Sequence, residues 1–304
     1  MAISRTQLVK ELEPGLNALF GLEYKRYENQ HAEIYTTESS DRAFEEEVML
    51  SGFANAQTKA EGSGVAFDSA QETYTARYTH DTIALAFAIT EEAIEDNLYD
   101  RISSRYTKAL ARSMSNAKQV KAVTPLIDGL PSTDGFDSGD GVSLFNTAHT
   151  TVSGTNVKNT LTTQADLNET SLEQSLIDIA AMTDERGLRI AARGVKMIIP
   201  SANQFTAERL MKSQGRTGTA DNDINAIGSM GMIPQGYRVN NYLTDSDAFY
   251  IITDVPNGMK MFQRAPLKTA MEGDFDTGNV RYKARERYSF GVSDYRGIFA
   301  SPGA

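Results

Sequence analysis

Few residues in this chain have the types and spacing that chemistry needs. Its three histidines, His31, His80 and His149, stand far apart, and an imidazole base needs a partner within hydrogen-bond reach. There is no cysteine, which removes disulfides, thiolate chemistry and sulfur-ligated zinc. No Walker loop, dinucleotide fingerprint, HExxH motif or GxSxG elbow occurs. Asp137, Gly139, Asp140 and Gly141 hint at a calcium loop, but the spacing and the missing terminal Glu do not fit an EF-hand, and an exposed loop is the simpler reading. Glu45, Glu46 and Glu47 could chelate a cation, although consecutive acids more often face solvent or a partner. Arg281, Lys283, Arg285 and Arg287 alternate with Val280, Tyr282, Ala284 and the lone acid Glu286. That row could touch nucleic acid, but it reads more simply as a half-buried strand with one basic side. The sequence holds no catalytic constellation, metal site or cofactor site, and a non-enzyme is expected.

The elements that carry these residues belong to a chain of 304 residues, enough for one elaborated domain or two lobes. The net charge of −10 disfavours a general nucleic-acid binder and suits a surface that should not adhere to DNA. The N-terminus lacks the apolar core of a signal peptide. The longest apolar run, Ile83 to Ile89, is far short of the ~20 residues that span a bilayer, so no membrane contact is expected.

Residues 4–26 predict a short helix interrupted near Pro14 and Gly15, with Leu16, Leu19 and Phe20 as anchors beyond the break. The acidic stretch 32–50 lacks a strong period and reads as an arm that packs on something else. Val48, Leu50 and Phe53, then Val65 and Phe67, flank a Gly-containing tip, and Tyr74, Ala76 and Tyr78 alternate after it. Together they predict a long hairpin, and an isolated two-stranded ribbon needs a neighbour to lie on. Thr90 caps a predicted helix over 90–121, unbroken across 91–119. Its row is Ile94, Leu98, Ile102, Tyr106, Leu110 and Met114, with Lys118 and Lys121 near the far end. Residues 128–166 form a long polar loop. An α/β stretch follows, with a helix over 167–183, a buried strand over 195–199, a helix capped by Ser201 and a strand within 237–243. Phe249–Thr253 and Met259–Arg264 flank Pro256-Asn257-Gly258, which reads as a hairpin turn.

This order of arm, hairpin, long helix, α/β lobe and returning strand resembles the HK97-type capsid fold, and specifically the Mu-like major head subunit family. The stretches that carry the resemblance are Thr58-Lys59-Ala60-Glu61-Gly62, Thr79-His80, the run Ala88 to Leu98, Leu144-Phe145-Asn146 before Ala148-His149, and Thr183 to Gly187. The resemblance implies an α+β fold with an N-terminal arm (1–47), an extended loop (48–85), a spine helix, a peripheral domain (86–127 with 260–304) and an axial domain (128–259). It implies a major capsid protein that self-assembles as hexamers and pentamers around phage double-stranded DNA, in a virion built in the host cytoplasm. The implied partners are further copies of the chain, the portal protein, a separate scaffolding protein and a decoration or cement protein, with packaged DNA only in non-specific proximity. Scaffolding is expected as a separate protein because the chain starts at the arm. Some relatives crosslink a lysine to an asparagine; Lys59 is the one lysine at the tip, but no companion motif accompanies it. Rival readings are an encapsulin-like cellular shell, a tail-tube or baseplate subunit, and a hydrolase. The intersubunit contacts expected are the tip residues Lys59 and Glu61 over a neighbour, and Glu45, Glu46 or Glu47 against Arg281, Lys283, Arg285 and Arg287 across a subunit boundary.

Overall fold

A computed structural model describes residues 5–90, 92, 99–131, 133, 135–215, 223–274 and 278–304, with side chains except at 5–12 and 99–102. The chain enters as one helix, α1 (Arg5–Arg26). The expected break does not occur. Pro14 and Gly15 face solvent, where a carbonyl freed by proline can bond water, while Leu16 and Phe20 pack with Leu110, Met114 and Tyr282. After a 3-10 turn (Gln30–Glu33) comes β1 (Thr36–Ser39). The stretch expected to pack elsewhere is tied to its own body here, because Ile34 and Tyr35 enter the main core. Strands β2 (Phe44–Leu50) and β3 (Glu72–Thr79) pair antiparallel from Phe44↔Thr79, so the hairpin starts at Phe44 rather than Val48. Residues 51–71 hold no strand or helix. β4 (Asp81–Ile89) follows directly.

Helix α2 (Tyr99–Asp128) is unbroken over its 30 residues, about 45 Å. Ile94, Leu98 and the side chain of Ile102 lie outside the described residues. Leu110 and Met114 are buried as the row requires, but Tyr106 is 51 % exposed. The reason is geometric. A row of every fourth residue rotates ~40° per step on a 3.6-residue helix and drifts off the packed face. The buried face widens with that drift: Ser103 and Thr107, then Leu110 with Ala111, Met114 with Ser115, Lys118 with Gln119, Ala122 with Val123, and Leu126. Lys118 is therefore an interior residue, not a solvated helix-end cation.

The polar loop is held by short strands β5 (His149–Thr150) and β6 (Asn156–Val157) and anchored by the buried Leu144, Phe145, His149 and Asn159. Next is α3 (Glu169–Ala180), capped by Asn168 and Ser171 and burying Leu172, Leu176 and Ile179 as its period predicts. β7 (Gly194–Ile199) leads into a 3-10 turn at Ser201–Asn203, so Ser201 does not cap the helix, and α4 (Gln204–Lys212) starts three residues later. The remaining elements are α5 (Ala226–Met230), β8 (Tyr237–Val239), β9 (Phe249–Thr253), β10 (Met259–Gly273), β11 (Val280–Val292) and β12 (Ile298–Ser301).

Two four-stranded sheets result, ordered β1-β10-β11-β4 and β12-β9-β7-β8. The Pro256-Asn257-Gly258 turn is consequently not a hairpin: it hands the chain from one sheet to the other. Asn257 takes φ 59°, and a Cβ on Gly258 would lie 2.8 Å from the Gly297 Cα. The turn chemistry holds, but the close approach of two backbones takes β10 to another partner.

Candidate assembly surfaces

The hairpin has two unlike faces. On its inner face Ala76 and Tyr78 are buried, and the Tyr78 ring meets Phe262 edge-on at 4.8 Å. The Tyr78 hydroxyl shares a 2.5 Å hydrogen bond with Ser293 Oγ. Glu47 reaches Lys260 Nζ at 2.5 Å and accepts from Ser293, while Glu38 meets the same lysine at 3.1 Å. Burial alone would lower the pKa of Lys260, but its bonds to Glu47 and Glu38 raise it above the ordinary lysine value. On the outer face Phe44, Val48 and Leu50 are exposed, continued by Phe53, Val65 and Phe67, the last 98 % exposed. Exposed apolar groups gathered this way mark interaction sites.

Glu45, Glu46 and Glu47 do not meet the basic row within one chain. Glu45 accepts from Ser40 at 2.7 Å, Glu46 sits 3.7 Å from Arg77, and Glu47 holds Lys260. Lys59 and Glu61 stand exposed at the tip. On β11 the pattern is resolved residue by residue: Val280, Tyr282, Ala284 and Glu286 point inward, while Arg281, Lys283 and Arg285 are exposed and Arg287 is half-buried. Arg281 has a partner in Asp274 at 2.5 Å. Lys268 of β10 stands directly across from Arg285, and like charges in that relation repel. Beside them Ala84, Ala86 and Ala88 of β4 leave a shallow exposed floor. The sheet therefore presents an exposed basic row, with Glu272 opposite Arg281 at one end.

Its other face is sealed by polar joints that sequence reasoning missed. Glu286, expected as a lone acid in a basic strand, is buried and accepts from Lys118 at 3.2 Å and Tyr24 at 3.3 Å. Burial, reinforced by the carboxylate of Glu286, holds Tyr24 well above the ordinary tyrosine range. Gln119 clamps His31 twice, taking its backbone N–H at 2.9 Å and bonding its Nδ1 at 2.9 Å. Burial, aided by nearby Lys118, lowers the His31 pKa to about 4.

The His31 shift has a testable consequence. The unfolded chain binds a proton near pH 6.5, whereas the folded chain resists until about pH 4. Stability is therefore full above about pH 6.5 and falls as the pH drops toward 4, by up to ~3 kcal/mol. His31→Asn, which keeps an acceptor and has no such proton, should flatten that window in urea titrations. An identical pH slope in both proteins would contradict the assignment.

Among the described residues, no group of three or more His, Asp or Glu is placed to hold a metal ion, and no helix is long and apolar enough to cross a membrane. Asp140, read as part of an exposed loop, bonds His149 Nδ1 at 2.6 Å, and burial of His149 against Tyr295 at 3.8 Å makes the pair an interior strut.

The fold and these faces define a shell-forming class of protein. The phage capsid protein family matches residues 72–301, and the chain belongs to it. Solved structures of the same fold include the virus-like particle from Pyrococcus furiosus, 10 % identical with TM-score 0.53, covering 94 % of this chain and 97 % of that one. The capsid of Myoviridae phage XM1 is 11 % identical with TM-score 0.55, covering 89 % of each chain. Mycobacterium phage Patience gives 12 % identity and TM-score 0.55, covering 98 % of this chain and 88 % of that one. No curated protein matches in sequence. The fold is thus HK97-like. The likeness alone spans both a virus-like particle and phage capsids; the family match places this chain with the phage shells.

Proposed function

We propose that the chain is the major head subunit of a tailed phage, akin to the Mu-like group, assembling as hexamers and pentamers in the host cytoplasm. It plays a structural, non-catalytic part. In this reading residues 1–47 are the arm, 48–85 the extended loop, 86–127 with 260–304 the peripheral domain, and 128–259 the axial domain around the symmetry axes. The portal, a separate scaffolding protein and a decoration protein complete the partners, and the shell encloses double-stranded DNA.

The observation that carries the reading is the hairpin, seated on one face while the other exposes Phe44, Val48 and Leu50 around the Glu46–Arg77 pair. A lattice of identical copies covers such a surface without any new partner. The basic face has a matching role. Lys268 opposite Arg285 calls for an outside anion, and the half-buried Glu45 and exposed Glu46 of a neighbouring copy supply it, with Lys59 and Glu61 resting farther along.

Sedimentation velocity of the purified chain tests this. Shell-sized particles should form and should dissociate as ionic strength rises past the physiological range, where the Debye length is ~8 Å. Arg285→Glu should depress them at every salt concentration. Particles indifferent to salt would remove the electrostatic contact, and a chain that sediments only as a monomer would remove the shell.

A further inference from the structure

We infer that two tyrosines of β3, seated on two glycines of the body, set the direction in which the hairpin leaves its subunit, and that this direction decides whether a neighbour can be reached. The inference rests on the reading of the hairpin as a lattice element.

Tyr74 and Tyr78 project from the same side of β3, four residues apart, or ~13 Å along the strand. Each lies over a position where only hydrogen fits. A Cβ on Gly139 would sit 2.5 Å from Tyr74 Cδ2 and 3.3 Å from the Ala76 backbone nitrogen. A Cβ on Gly291 would sit 2.6 Å from Tyr78 Cε1 and 2.9 Å from its Cδ1. Neither glycine has a left-handed φ, so close approach, not backbone conformation, is what asks for glycine here. Tyr74 also leans on Tyr295, ring centres 6.4 Å apart. Beside Tyr78, the Glu38–Lys260–Glu47 cluster and Ser293 fasten the opposite strand, β2, to the same patch of the sheet.

One anchor would leave a pivot; two define a line. The tip lies about twelve residues beyond Tyr74, at most ~40 Å if extended. Relieving a 2.6 Å contact at Gly291 to ordinary van der Waals distance moves the strand by ~1 Å. Over a ~13 Å baseline that is a rotation of about 4°, which carries the tip ~3 Å, more than a hydrogen bond tolerates. A methyl group at the base is thus amplified into a mis-aimed tip, with little change in the subunit's own packing. Arg186 ties the loop to the body by donating to the Ser69 carbonyl at 2.6 Å, and this bond sits too near the base to correct the aim.

The absence of cysteine permits a direct test. Spin labels on Thr58→Cys, exposed at the tip, and Thr170→Cys, exposed on α3, report the hairpin's direction as a distance distribution in the full-length subunit. Gly291→Ala should shift or broaden that distribution. It should also lower the yield of closed particles by about tenfold or more, the factor that ~1.4 kcal/mol of docking free energy represents, with the unfolding midpoint little moved. Adding Tyr78→Leu, which removes the ring edge that meets the new methyl group, should restore both the distance and the yield toward those of Tyr78→Leu alone. A purely structural role for Gly291 would move stability and yield together and show no such rescue. Should Gly291→Ala fail to fold, Tyr78→Phe, which loses only the hydroxyl bond to Ser293, carries the test with the same labels. An unchanged distance distribution, or normal particles despite a shifted one, would overturn the inference. If shells form normally without the tip, the lattice role itself fails, whatever the labels report.

Discussion

Replacing Arg296 by methionine is expected to destabilise the subunit by ~3–5 kcal/mol, because it leaves two buried carboxylates without their cation. The guanidinium is 3 % exposed and reaches Glu185 at 2.5 Å and Asp294 at 3.2 Å, and its Nε donates to the Thr183 carbonyl at 2.9 Å. It also stacks over Tyr295 at 4.5 Å. Burial pushes the Asp294 carboxyl above its ordinary value despite the arginine, so the site is already costly to ionise. These contacts join three stretches far apart in sequence: the turn after α3, the segment just past β11 and, through the Thr253 hydroxyl donating to the Arg296 carbonyl at 2.6 Å, β9. Urea unfolding at neutral pH measures the loss. Glu185→Gln in the same background should recover part of it, since a neutral amide is cheaper to bury than an unpaired carboxylate. A loss below ~1 kcal/mol would mean the carboxylates find other partners.

Deleting residues 55–64 is expected to do the opposite: leave stability nearly intact and abolish closed shells. The segment is exposed throughout, and its recorded internal hydrogen bonds run between Ser63 and Ala60. The bonds that close the loop at its base, Ser51 to Gln71 and Ala54 to Asp68, lie outside the deletion. Exposed tips with few bonds tolerate removal in a monomer. A thermal melt together with a particle count separates the two effects, and particles at the normal yield would contradict the lattice role.

How much of this was legible depends on which interactions are local. The alternation Val280, Tyr282, Ala284 against Arg281, Lys283, Arg285 fixed both the strand and its basic face, because a strand's period of two is written in adjacent residues. The helix within 167–183 is legible because Leu172, Leu176 and Ile179 recur at steps of four and three, again a short-range pattern. The rest turned on contacts between distant segments. Glu286 and Lys118 are 168 residues apart, and nothing near either one announces a buried pair. Nothing in the sequence around Lys260 sets it apart; β1 and β2 bring Glu38 and Glu47 to it. Pro14 read as a break because proline costs a helix bond locally; the apolar cluster under Leu16 and Phe20, built from α2 and β11, outweighs it. For the candidate surfaces, the acidic and basic stretches were visible as charge patterns, whereas the apolar outer stripe of the hairpin became visible only once the inner face was seen to be occupied.

Electron microscopy of the purified full-length protein, alone and co-expressed with its genomic neighbours, tests the central claim most directly. The account predicts closed icosahedral shells in which each hairpin tip lies over an adjacent copy. Tubes, open sheets, or a field of monomers under every one of those conditions would contradict it.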